Sequence, residues 1–170
     1  MDFLAPFHPQ IIHTPIVLLI VGLLFEIVGH VTRQEWWRKA AVVMLLLGVL
    51  GAGAAVLSGG PAGDAAERAG APERAVDAHE AAAMLTLWLA IAALVVRTAA
   101  TALHRGRALA SGVALVLWLA AAVSVGVTGY RGGKLVYEHG AGVHLGPASA
   151  APAGSAKPGE PTRAPAGDKD

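Results

Sequence analysis

PIVLLIVGLLFEIVGHV, residues Pro15–Val31, decides the fold. The run is apolar over most of the ~20 residues a helix needs to cross a hydrocarbon core, and it holds no Lys or Arg. Three other stretches behave in the same way: Ala40–Leu57, Ala81–Val96 (extendable to Leu103) and Ala108–Thr128. The chain is therefore expected to cross a membrane four times, over about 12–31, 40–58, 81–103 and 108–128. The first span follows no basic residue, precedes no small-residue cleavage site and carries Glu26 and His30 in its second half. It reads as a retained helix rather than a cleavable signal peptide.

Composition agrees with this. Of 170 residues, 55% are hydrophobic and 15% charged, whereas a water-soluble domain carries about a quarter charged residues. With a net charge of +1 and no basic stripe interleaved with aromatics, nucleic acid is not an expected partner; the lipid bilayer is. The absence of cysteine excludes disulfides, iron–sulfur clusters and covalent haem attachment.

Charge sets an expected orientation. Arg33, Arg38 and Lys39 follow span one, and Arg97, Arg105 and Arg107 surround the turn after span three, against none before span one. The positive-inside rule makes these two short connections cytoplasmic, with both termini and a long loop between spans two and three outside. Trp36 and Trp37 read as an anchor at the cytoplasmic interface.

Small residues in span two (Gly48, Gly51, Ala52, Ala55) and span four (Ala114, Ala122, Gly126) allow close helix approach, within one chain or between copies in a homo-oligomer. Short connections make sequential helices antiparallel. The expected fold is an all-α integral membrane up-down four-helix bundle over 1–145, with a disordered Ala/Pro-rich tail over 146–170.

Seven histidines carry the functional question. His30 and His104 end spans one and three, where the helix dipole and free carbonyls account for them. His13 stands at the start of the first helix, and Pro72-Glu73 begins the third outside the membrane, which leaves His79 about two turns in; near a helix start a proton on the ring is disfavoured and neutral imidazole, the form a metal needs, is favoured. For the first helix two beginnings are open: Thr14 as N-cap with Pro15 at the first helical position, or a start at Pro9 with Pro15 inside. His8 precedes Pro9 and reads as an interfacial residue. His139 and His144 fall in a glycine-rich closing stretch, Gly129–His144, expected to form either a lid over the bundle mouth or a surface hairpin. Glu26 is costly in a membrane; snorkelling to the cytoplasmic interface or pairing with His30 or Arg33 is the expected remedy, and a proton path is the sharper alternative. Trp88 and Trp118, near mid-span, face lipid, pack in the core or stack on a cofactor.

The opening His8-Pro9-Gln10-Ile11-Ile12-His13-Thr14-Pro15, Ser58-Gly59 after span two, His79-Glu80 before span three, and the closing stretch from Thr128 through Val143 resemble a bacterial membrane family known as domain of unknown function 2231. The resemblance covers the four spans and the closing stretch but not the tail. It implies a four-helix protein of the bacterial cytoplasmic membrane and, because some members are joined to cytochrome-like modules, a redox setting.

The functional expectation is a b-type haem-binding or electron-transfer-associated subunit, with other membrane redox subunits as partners. His13 and His79 are its expected ligands, for haem or for a bare metal, and His139 is the substitute. The alternative is a non-enzymatic scaffold with structural or metal-binding histidines. No hydrolase, transferase or nucleotide-binding motif is present; His79-Glu80 lacks the second histidine of a zinc-protease helix.

Overall fold

The computed structural model describes residues 2–102 and 106–143. His104, His144 and the tail at 146–170 lie outside the described residues. A 3-10 segment, Asp2–Phe7, and a short helix, His8–Ile11, lead into α1 (His13–Thr32), followed by α2 (Glu35–Arg68), α3 (Glu73–Ala102) and α4 (Arg107–His139). All four long helices contain a window apolar enough to cross a membrane. Each packs on its sequence neighbours and α4 closes back onto α1, which makes an antiparallel ring of four.

The helix start follows the second of the two readings. Helical backbone is already present at His8–Ile11, with Pro9 in its first turn, and Ile12 stays helical (φ −62°, ψ −25°) on entering α1. Thr14 does not act as N-cap. Pro15 is instead buried inside the helix, where α2 closes on it: a Cβ on Gly51 would stand 3.2 Å from Pro15 Cδ, and one on Gly48 would stand 3.1 Å from Leu19 Cδ2. The small-residue face of span two thus packs α1 within the chain.

Two loop expectations are corrected. The long middle loop reduces to Ala69–Pro72: α3 begins at Glu73, as Pro72-Glu73 suggested, and the unexpected part is that α2 continues through Pro61 to Arg68. Gly70, in the left-handed region at φ +104°, turns the chain there, and Ala71 N–H closes on Ala66 O at 3.0 Å. The closing stretch is neither lid nor hairpin: α4 runs straight through Gly129, Gly132 and Gly133 to His139, then ends at Gly140 (φ +65°). Packing explains both extensions. Leu135 meets Ala66, Ala71 and Val76 in a small second core, which outweighs the ~1 kcal/mol each helical glycine costs.

At 34, 30 and 33 residues, α2, α3 and α4 are about 45–50 Å long, against a hydrocarbon core of about 30 Å. The excess lies at one end, that of the chain termini, and forms a three-helix head. At the opposite end Trp36 stacks on Trp37 with centroids 4.0 Å apart, and Phe25 meets Trp37 edge-on at 4.6 Å.

The main core, between these ends, is Leu19, Leu23, Leu45, Ala90, Ala93, Ala121 and Trp118. Trp118 is wholly buried and donates from Nε1 to Leu19 O at 2.9 Å, so it is a packing residue; Trp88 faces outward. Glu26 has a partner the sequence reading did not name. Arg97 reaches diagonally across the bundle, with Nε 2.7 Å from Oε1 and Nη2 3.3 Å from Oε2, and the two residues are 1% and 4% exposed. His30 donates from Nδ1 to Glu26 O at 3.0 Å, the carbonyl-capping role expected of it.

Candidate functional site

The head end gathers two histidines from different elements. His8, carried in by the short helix, lies against α2: its Nδ1 is 2.9 Å from Ser58 Oγ. Ser58 Oγ in turn donates to Ala55 O at 3.1 Å. With its only proton committed, the serine accepts from His8, so His8 carries its proton on Nδ1 and leaves a lone pair on Nε2. His79, on the second turn of α3, reaches α4, with Nδ1 3.1 Å from Thr128 O. A carbonyl only accepts, so His79 is the same tautomer with the same free Nε2.

Glycines make both positions possible. A Cβ on Gly59 would stand 3.3 Å from His8 Cε1, and one on Gly132 would stand 3.0 Å from His79 Cε1. The glycines that suggested tight turns in the closing stretch therefore include one that α4 uses to admit an imidazole.

Both rings lie beyond the apolar spans, half-buried, and both are held below the ordinary imidazole value of 6.5. Burial is the main cause for each. For His8, a proton on nearby His79 adds to the effect; for His79, the Arg131 guanidinium does. Glu80, next in sequence, points elsewhere. Its Oε1 is 2.7 Å from where a Gly63 Cβ would stand, and burial with the carboxylates of Asp77, Asp64 and Glu67 pushes it up from its ordinary value.

The depressed histidines fix a pH response for the chain alone. Below about pH 6.5 the unfolded chain binds protons that the folded rings refuse, so stability falls as pH drops through that value. Glu80 acts in the opposite sense, so the comparison with a histidine variant isolates the histidine part. The unfolding midpoint in detergent is expected to drop as pH falls through that value, and His79→Gln to flatten the drop. An identical pH response in wild type and variant contradicts the assignment.

A hydroxyl ladder continues inward from His79. Thr128, whose carbonyl holds that ring, has its hydroxyl 3.2 Å from Thr86 Oγ1, which is 2.8 Å from Ser124 Oγ. Each hydroxyl also has a backbone carbonyl on its own or the facing helix, so the buried polar atoms are satisfied and α3 is keyed to α4.

The other expected ligands stand apart. His13, in the first turn of α1, and His139, the last residue of α4, are both exposed, and no hydrogen bond among the described residues fixes either ring. His8 is the residue that sequence reasoning undervalued. Its signal was available: Ser58-Gly59 supplies a hydroxyl beside a position with no side chain, the surroundings an imidazole needs. Among the described residues no group of three or more His, Cys, Asp or Glu side chains is arranged to hold a metal ion.

No curated protein and no solved structure matches the chain. A family model does, over residues 4–145, and its description is "Predicted membrane protein (DUF2231)". The match takes in His8, all four helices and the three-helix head, and stops where the tail begins. The chain is an integral membrane protein and belongs to this family.

Proposed function

We propose that the chain is a membrane subunit that holds b-type haem, as part of electron transfer, through histidines at its head end. The shared tautomer of His8 and His79 carries this reading. Histidine ligands characteristically donate one ring N–H to a carbonyl or hydroxyl and offer the other nitrogen to the metal, and both residues meet that description. Both are also kept neutral, as ligation requires. Two imidazole nitrogens suit haem, because the porphyrin provides the remaining donors.

His79 keeps the role expected from sequence, His8 takes the partner role expected of His13, and His139 is the reserve. Haem bound there would supply one-electron chemistry. The chain's own residues do the rest: Ser58 and the Thr128 carbonyl orient the rings, Gly59 and Gly132 leave room for them, and the Arg131 charge helps keep His79 unprotonated. Positive-inside charge favours a head outside the cytoplasmic membrane. Arg97, buried on Glu26, drops out of that count, but Arg33, Arg38, Lys39, Arg105 and Arg107 still carry it.

One observation favours a second reading, the scaffold. The same two hydrogen bonds tie the leading segment to α2 and α3 to α4, which is work a purely structural histidine can do. A reduced-minus-oxidised absorption spectrum of the full chain, purified from cells with ample haem supply, separates the readings. The haem subunit gives a Soret band and one-to-one iron by metal analysis. Colourless, iron-free protein leaves the scaffold.

A further inference from the structure

On its outer surface the bundle has a groove of ≈ 550 Å³ between α3 and α4. Ala82 and Ser124, both buried, lie at its floor, Leu85, Leu89, Ala120 and Val127 flank it, and Arg131 stands at its head end. The one hydroxyl in its lining, Ser124, is turned inward to Thr86, so the groove offers hydrocarbon below and a guanidinium above. Along α4 it runs from Arg131 to Ala120, about 16 Å, which is about half of a 30 Å hydrocarbon core and so the depth of one leaflet.

Arg131 is held in place rather than used up. Its Nη1 donates to Ala78 O, which pins the guanidinium over the groove mouth, and no described carboxylate forms a salt bridge with it. Lys134, one turn on, is by contrast paired with Glu138 at 3.4 Å. A fixed cation at the boundary above a one-leaflet apolar channel is complementary to an amphiphile with an anionic headgroup.

We infer that the α3–α4 groove binds one acyl chain of an anionic phospholipid, with the lipid phosphate on Arg131. A neutral lipid gains the apolar contacts but not the charge. A small anion gains the charge but not the groove.

Native mass spectrometry of the delipidated full chain tests this, with phosphatidylglycerol and phosphatidylcholine of matched acyl chains added in turn. Phosphatidylglycerol should be retained about fivefold more than phosphatidylcholine, the preference expected of one interfacial cation. Arg131→Gln should abolish the preference and Arg131→Lys keep most of it. Ala120→Phe, which fills the groove, should lose both lipids while the unfolding midpoint stays within the wild-type range. Equal retention of the two lipids overturns the inference in favour of a neutral occupant, and a preference that survives Arg131→Gln overturns it by taking the headgroup away from Arg131. Displacement of the lipid by inorganic phosphate at matched concentration overturns it in favour of a headgroup-only anion site.

Discussion

Replacing Arg97 with alanine will destabilise the bundle by about 3–5 kcal/mol, because it leaves the Glu26 carboxylate buried without its counter-ion. Neither partner has solvent to fall back on, with exposures of 1% and 4%. His30 gives partial relief at best: its Nδ1 is 3.5 Å from Glu26 Oε1, and the same nitrogen already serves the Glu26 carbonyl. The diagonal reach of the pair matters too, since it ties α1 to α3, helices that are not neighbours in the ring. The double variant Glu26→Leu/Arg97→Leu removes both charges and should recover most of the loss, as buried pairs replaced by apolar residues commonly do. Unfolding measured in one fixed detergent gives all three stabilities. A loss of less than about 1 kcal/mol for Arg97→Ala would mean that the pair is effectively solvated.

Trp118→Ala should cost about 3–5 kcal/mol by a different route, the loss of a fully buried aromatic and the cavity it leaves. The indole sits where all the layers meet. A Cβ on Gly22 would stand 2.8 Å from its Cζ2, so α1 approaches as closely as a glycine allows. Trp118→Phe separates the two contributions. It keeps most of the packing but removes the Nε1 hydrogen bond to Leu19 O, and about 1 kcal/mol is expected for that bond. If Trp118→Phe costs as much as Trp118→Ala, the hydrogen bond rather than the packing holds this layer.

What could be read from the sequence follows the range over which each force acts. The four spans were legible because membrane crossing is a local property of about 20 consecutive residues. The three-helix head was not, because Pro61, Gly129, Gly132 and Gly133 signal breaks locally. Only the contact of Leu135 with Ala66, Ala71 and Val76, distant in sequence, reverses that signal. Arg97 was read as a surface charge for the same reason. A usable clue existed, since Glu26 and Arg97 each lie in the last two turns of antipodal helices that run in the same direction, and therefore at matching depth. The place of His79 near a helix start was legible, whereas the burial against α4 that lowers its pKa was not. The packing of His8 was half legible: Ser58-Gly59 offered a hydroxyl and room for a ring, but the segment before Pro9 gave no sign of being helical and reaching them.

The two polar assemblies do not join. Among the described residues the ladder below His79 ends at Ser124, Glu26 and Arg97 lie toward the opposite end, and Leu19, Leu23, Leu45, Ala90, Ala93 and Trp118 fill the layer between them. A proton route from end to end would need polar groups in that layer. The ion pair is accordingly a structural tie between α1 and α3.

The ligand assignment is the central claim, and the absorption spectra of three single variants test it most directly. His8→Ala and His79→Ala should each abolish or shift the Soret band of the purified protein, while His13→Ala, which alters an exposed ring, should leave it unchanged. A band that survives both His8→Ala and His79→Ala, or one lost in His13→Ala, contradicts the account.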